Sequence, residues 1–292
     1  MVKIVKKTDL DYPLRMKKLN QMPEILYVRG NLPADDKPSV AIVGARACSS
    51  YGRNMASEFA RVLSQEGVQI ISGLALGIDG EAHVGAMKGK TPTYAVLAND
   101  VNVCYPRANQ RIYHKILESG GGILGEQPEG TQARPYYFPA RNRIISALAD
   151  VILVVEARCR SGALITVDYA LEQGKTVYAV PGRIGDVLSE GCNRLIAQGA
   201  GIACSPDVIL QELGMGKSTL VENFRQRKVL QMSAEAQYIY RQLDSMPISL
   251  EDLCRRVPYD MQQVQGALLE LQLEQIVMEI SKNYYIKSSK FS

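Results

Sequence analysis

SVAIVGARACSSYG, residues 39–52, decides the fold. Its first six residues are an unbroken apolar run, the pattern of a strand covered on both faces rather than on one. A small-residue loop follows, and then an amphipathic stretch, Ser50 to Glu66, with Phe59, Val62 and Leu63 on one face. The same alternation recurs downstream. VQIIS (68–72), TYAVL (93–97), GILGE (122–126), VILVVE (151–156), TVYAV (176–180) and GIACS (201–205) read as strands. Asp79–Gly89 and Gly162–Gln173 read as helices between them. Repeated strand–helix units of this kind predict an α/β fold, a Rossmann-like doubly wound parallel sheet. Ser50, Asp79, Asn109 and Ser161 stand where helices need N-caps, and Gly67 and Gly174 where helices end.

Outward from that region the pattern changes. Residues 1–38 read as a lead-in segment packed on the core, and 39–213 as the Rossmann-like domain. Residues 214–232 (GMGKSTLVENFRQRKVLQM) carry no period and read as a linker. From 233 to 288 come three helical patterns, Ala234–Leu243, Ser249–Arg256 and Met261–Glu274, then IVMEI, a Ser-Lys-Asn turn and YYIK. Three helices and a hairpin in so short a span predict a winged-helix module.

Composition excludes several function classes. With hydrophobic residues at 46% and charged residues at 22%, the chain can bury a core. A formal net charge of +4 permits an anionic partner without demanding one. The first residues, MVKIVKKTDLDYPL, contain no apolar run, so neither a signal peptide nor a membrane anchor is expected, and the reading is a soluble cytoplasmic protein. The six cysteines include no CxxC pair and there are two histidines, His83 and His114, so no disulfide framework, zinc site or other metal site is expected. Two letter patterns fail in context. Gly120 to Gly125 matches GxGxxG but closes a helix and enters a strand, whereas a dinucleotide fingerprint does the reverse. GMGKST (214–219) lacks the first P-loop glycine, since position 211 is Gln211. No cofactor is expected.

Ligands of an open parallel sheet sit beyond the carboxyl ends of its strands, and four such loops stand out. Gly44 to Gly52 offers Arg46, Ser49 and a helix N-terminus, which reads either as a phosphate cradle or as a polar turn. Ser72 to Asp79 has two glycines that let backbone amides approach a ligand, with Asp79 as a cap and His83 one turn further on. Gln127 to Arg143 contains FPARNR, with Phe138, Arg141, Asn142 and Arg143 as candidate contacts and Pro139 as the expected first helical residue. An aromatic face beside arginines is what single-stranded nucleic acid requires. Arg141 and Arg143 cannot share one helix face. One is expected to meet phosphate and the other a salt bridge, with Arg143 the better contact and Arg141 the structural residue. Glu156 to Thr166 adds Arg158, Arg160 and the helix start at Ser161 and Gly162. Glu126, Glu156 and Asp168 show no partner, and no nucleophile–base set assembles, so the chain reads as a binder and not an enzyme.

These loops, in this order, resemble the DNA-processing protein A family (DprA, also called Smf). The resemblance runs over about residues 12–213: YVRGNL, VAIVGAR with SSYG, SGLALGIDGEAH, AVLANDVNVCYPRAN, GEQPEG with FPARNRIISAL, VILVVEARCRSGALIT and TVYAVPGRIGDVLSEGCNRLIAQGA. It implies an extended Rossmann-like core that binds single-stranded DNA without a cofactor. It further implies protection of incoming strands in natural transformation, loading of a RecA-type recombinase, and a homodimer formed through the core. It implies ligand-facing roles for Arg46, Gly73, Phe138, Arg143, Ser161, Gly162 and Lys175. The chain departs from the family pattern at Leu76, where arginine is usual, and at Asn99-Asp100-Val101, where a glycine turn is usual.

The alternative resemblance is to the phosphoribohydrolases of the lysine-decarboxylase-like family, whose PGGxGTxxE loop falls where SGALIT stands. The glycine pair is incomplete here, and Tyr169 occupies the glutamate position. The winged helix invites a separate expectation. Its recognition helix, MQQVQGALLELQLE, has no basic residue, and Arg255, Arg256, Lys282 and Lys287 lie around it. A weak or absent duplex-binding role and a protein contact are therefore expected.

Overall fold

The computed structural model describes residues 2–215, 229, 232–243, 247–274 and 276–287. The chain divides into two compact units, Met1–Gly216 and Lys217–Ser292.

In the first unit the apolar runs become β3 (Ser39–Val43), β4 (Gln69–Ser72), β5 (Thr93–Leu97), β6 (Gly122–Gly125), β7 (Val151–Val154), β8 (Thr176–Ala179) and β9 (Gly201–Ile202). All seven run parallel, in the order β6-β5-β4-β3-β7-β8-β9. Alternate residues of one strand serve opposite layers. Ala41 and Val43 of β3 pack with Ile144, Ile145 and Leu148 of α5 (Tyr137–Leu148) and with Val167 of α6 (Ala163–Glu172). Val40 and Ile42 pack with Phe59 and Leu63 of α2 (Ser50–Gln65) and with Ile78 and Ala82 of α3 (Ile78–Ala86). Each of the valine, isoleucine, leucine and phenylalanine side chains among these stabilises the fold by roughly 1.5–3 kcal/mol on burial. Doubly wound layering therefore follows from the unbroken apolar strands.

Two further strands, from the lead-in segment before Ser39 where no strand was expected, lengthen the sheet. β2 (Ile25–Gly30) pairs antiparallel with β6, and β1 (Val2–Lys6) pairs antiparallel with β2, so the nine-stranded sheet is mixed at this edge. Tyr12, Met16, Leu26 and Val28 from this segment are buried in the core shared with α5 and α6. Arg15 holds the segment to the main sheet through Asp150, Nε–Oδ1 at 2.9 Å and Nη2–Oδ2 at 3.0 Å.

Several caps differ from expectation. Ser49, not Ser50, caps α2 by accepting from the Gly52 amide at 3.0 Å. Asp79 lies inside α3, whose N-cap is Gly77 at φ 75°, a left-handed value that glycine adopts without strain. Asn109 turns its side chain back onto the Leu74 and Ala75 carbonyls, both at 2.9 Å. Pro139 is the third residue of α5, where a missing N–H still costs nothing because the first four amides of a helix lack intrahelical partners.

Among its described residues the second unit holds α9 (Ala234–Gln242), α10 (Leu250–Arg256) and α11 (Met261–Leu273), with β10 (Ile248–Ser249), β11 (Val277–Ser281) and β12 (Tyr284–Lys287) in a sheet ordered β10-β12-β11. Ser233, Ser249 and Asp260 cap the three helices, the last in a reciprocal box with Gln263. Ile239, Leu253, Val264, Leu268, Leu271 and Val277 fill its core. This is the winged-helix pattern of three helices and a hairpin, with Asn283 at φ 64° in the turn. Gln262, Gln265, Leu269 and Leu273 of α11 are exposed or partly exposed, with no cation among them. The expected linker falls almost wholly outside the described residues.

Candidate nucleic-acid interface

Strand order fixes where a ligand can sit. After β3 the chain proceeds outward on one side through β4, β5 and β6, then returns to add β7 on the other side of β3. Adjacent loops after β3 and β7 therefore diverge, and an open sheet has its binding crevice at such a switch point. A cleft of about 280 Å³ lies there. Its walls come from the β3 loop (Gly44, Arg46), the β4 loop with the start of α3 (Ala75, Asp79), the start of α5 (Phe138, Pro139, Arg141, Asn142) and the β7 loop with the start of α6 (Ser161, Gly162, Thr166). The N-termini of α5 and α6 both line it, so two helix dipoles present their positive ends.

Phe138 is half-buried, and its ring is ringed by cations and another aromatic. The Arg46 guanidinium lies 5.2 Å from the ring centroid, that of Arg141 6.0 Å, and the Tyr105 ring 5.8 Å at 42°. A smaller cleft of about 90 Å³, lined by Gly73, Leu76, Asn99 and Tyr105, meets the first at Arg46, Ala75, Phe138 and Arg141. Arg46 itself is exposed; among the described residues its guanidinium has no hydrogen bond or ion pair, lies over the ring, and acts at longer range on Asp79 and Arg141 through its charge. The Asn99–Asp100 turn is tied down, with Asn99 donating to the Val103 carbonyl at 2.7 Å and Asp100 accepting from the Gly130 amide at 2.9 Å.

Arg141 forms the floor of the cleft and is 6% exposed. Its Nη1 donates to the Gly73 carbonyl at 2.6 Å and also to the Val96 carbonyl. Burial lowers its pKa to about 10, which the Asp79 carboxylate resists and the Arg46 charge reinforces, so it stays protonated at neutral pH. Burial pushes the Asp79 carboxyl up, against the pull of the Arg141 charge and of the Ala75 and Gly73 amides, the latter at 3.1 Å. A Cβ at Gly73 would stand 2.6 Å from Arg141 Nη1 and 2.7 Å from Asp79 Oδ2, which is why glycine is required there. Asn142 donates to the Gly162 carbonyl at 3.3 Å and so joins α5 to the α6 start.

Three expected contacts are not brought to this cleft. Arg143, expected to touch ligand, is the ion-paired arginine instead. Its Nη2 meets both oxygens of Glu126 at 2.7 Å, because the helix turns its side chain away from that of Arg141. Ser49 bonds the buried carboxylate of Glu156 through its hydroxyl and through its amide at 2.9 Å. Lys175 immediately precedes β8 and so lies at the amino edge of the sheet, opposite the cleft. Its pKa is lowered, by burial first, with Asp150 opposing and Arg15 assisting. Arg46, Phe138, Arg141, Asn142, Ser161 and Gly162 do converge on the cleft, and Gly73 lines the adjoining one. Asp79, expected only as a helix cap, also lines the cleft, and Tyr105, to which no local pattern gives a role, lines the adjoining one. Lys175→Ala is expected to leave oligonucleotide affinity within twofold of the parent in a fluorescence titration.

His83 is fully buried, with Nδ1 2.7 Å from the Thr93 hydroxyl. Burial, aided by the Arg141 charge, lowers its pKa to about 3. The unfolded chain therefore takes up this proton near pH 6.5 while the folded one does not. Stability contributed by the neutral ring is complete above that pH and is lost as pH falls toward 3, at roughly 1.4 kcal/mol per pH unit. Urea titrations of His83→Gln between pH 6 and 4 are expected to show a slope shallower by about that amount.

The sequence matches the DNA recombination-mediator protein A family over residues 3–214 and the DprA winged helix domain over residues 226–279. It is 44% identical over 205 residues to Protein Smf of Escherichia coli, covering 70% of this chain and 55% of that protein. It is 41% identical over 201 residues to the DNA processing protein DprA of Streptococcus pneumoniae, covering 69% and 71%. The X-ray structure of the Streptococcus pneumoniae protein superposes with a TM-score of 0.68 at 39% identity, over 72% of this chain and 74% of that one. DNA processing protein A of Helicobacter pylori, whose structure is reported for its single-stranded DNA binding mode, superposes with a TM-score of 0.65 at 27% identity, over 73% and 95%.

Proposed function

Because this chain belongs to the DNA recombination-mediator protein A family, we propose that it binds single-stranded DNA in the switch-point cleft, protects incoming strands and mediates loading of a RecA-type recombinase. One observation carries the reading: a half-buried Phe138 ring at the cleft, with the uncommitted Arg46 guanidinium 5.2 Å from its centroid. A single strand offers bases that stack on any aromatic face and phosphates that seek a free cation, and this pair supplies both. Ser161, Gly162 and the α6 amides add a phosphate cradle next to it. Arg141 acts differently, holding the loops that carry these groups in register.

The role is non-catalytic in this proposal. Asp79 is the one carboxylate on the cleft wall, and it is occupied by the Gly73 amide and the Arg141 charge. Resemblance to the family supports a cytoplasmic homodimer. Among the described residues no helix is long and apolar enough to cross a membrane. The exposed face of α11, which carries no cation, supports a protein-contact role for the winged helix over duplex reading.

Salt-titrated binding of matched single-stranded and duplex oligonucleotides to the full chain tests this. The single strand is expected to bind more tightly, with log K falling against log salt at about −0.7 per phosphate contacted. Equal affinity for the two, or no saturable binding to the single strand, would sink it.

A further inference from the structure

A second cleft, of about 490 Å³, lies on the far side of the Ser161–Gly162 loop. Ser161, Gly162 and Ile165 line both this cleft and the first, so the two are neighbours across a shared ridge. We propose that the second cleft is a phosphodiester-binding site that receives the DNA strand as it leaves the first. The inference rests on the single-strand reading above and extends it.

The ridge is low. Gly162 is exposed, and a Cβ built on it would meet nothing within 4 Å, so no side chain separates the clefts at that point. A flexible phosphodiester backbone can cross such a ridge, whereas a duplex cannot bend so sharply at small cost. Beyond it, Arg160 and Arg194 line the cleft from different elements, the β7 loop and α7 (Glu190–Ala197). Both are exposed, and neither guanidinium has an ion pair or hydrogen bond among the described residues. Their condition contrasts with Arg15, Arg141 and Arg143, each of which is committed within the fold. Asp168 is the carboxylate on this cleft wall, and Glu190 accepts from the thiol of Cys159, another lining residue, at 3.6 Å. Those acidic groups favour a strand that touches the two arginines and keeps clear of the α6 flank. The N-terminal amides of α6, a helix of ten residues, sit at the ridge itself and favour a phosphate there.

Fluorescence anisotropy with the full chain and oligothymidylates of two lengths tests the proposal. A strand of about four nucleotides is short enough to stay at the first cleft, and one of about twelve is long enough to cross the ridge. The double variant Arg160→Ala/Arg194→Ala is expected to bind the short strand as the parent does. On the long strand it is expected to lose about tenfold in affinity, with the salt slope reduced by about 1.4, that is 0.7 for each phosphate contact removed. Both side chains are exposed, and a matched thermal melt confirms that the variant folds. Arg46→Ala, in contrast, is expected to weaken both lengths. Parent-like affinity and slope of the double variant on the long strand would overturn the second site while leaving the first intact, and so would equal losses on both lengths. If the parent itself binds neither strand, the single-strand reading fails and the second site with it.

Discussion

Phe138→Ala is expected to weaken binding of an oligothymidylate by roughly 5- to 150-fold, the equivalent of about 1–3 kcal/mol for one lost base stack. The ring is the one aromatic face shared by both switch-point clefts, and it is held in place from three sides. Arg46 lies over it at 5.2 Å, Arg141 at 6.0 Å, and Tyr105 tilts against it at 5.8 Å. Alanine removes the platform and also frees Arg46 to swing away, so affinity falls through both contacts. Phe138→Leu keeps much of the volume without the π face and is expected to fall between parent and alanine. Phe138→Tyr is expected to stay close to the parent. Parent-like binding by Phe138→Ala would show that bases are held elsewhere.

Arg141→Ala is expected to destabilise the first unit by about 3 kcal/mol or more in urea unfolding. Its guanidinium satisfies the Gly73 and Val96 carbonyls and is the principal charge opposing the burial of Asp79. Deletion leaves two buried acceptors without a donor and a carboxylate without a compensating charge, and both losses carry a desolvation penalty. Pairing the change with Asp79→Asn is expected to cost less than the two single substitutions added together, because the uncompensated charge disappears. Strict additivity would mean that Arg141 and Asp79 do not stabilise one another. This substitution is also expected to blunt DNA binding, by loosening the β4 loop and the start of α5, so it does not by itself identify a contact.

Much of this was legible from residues alone. Unbroken apolar runs such as VAIV and VILV marked β3 and β7, and the small-residue loops after them marked the carboxyl edge. FPARNR was legible as an aromatic set among arginines, though not the roles of those arginines. Arg143 is paired with a residue seventeen positions earlier, and Arg141 with a carbonyl sixty-eight positions earlier, so only the assembled sheet decides between them. Asp79 was read as a local cap for the same reason: its partners are a loop amide and a distant charge. β1 escaped because Lys3 and Lys6 interrupt its apolar residues, and an edge strand with one buried face needs few of them. Lys175 was carried over by resemblance, although its place just before β8 puts it at the wrong end of the sheet. The switch point itself is a property of strand order, which no local pattern encodes.

Ultraviolet crosslinking of the full chain to an oligothymidylate, with the joined peptides identified by mass spectrometry, tests the central claim most directly. Crosslinks are predicted to concentrate on Phe138 and its flanking segment and on the Arg46 loop, and to vanish from that segment in Phe138→Ala. Crosslinks confined to residues 233–287, with none in the carboxyl-edge loops, would contradict the account.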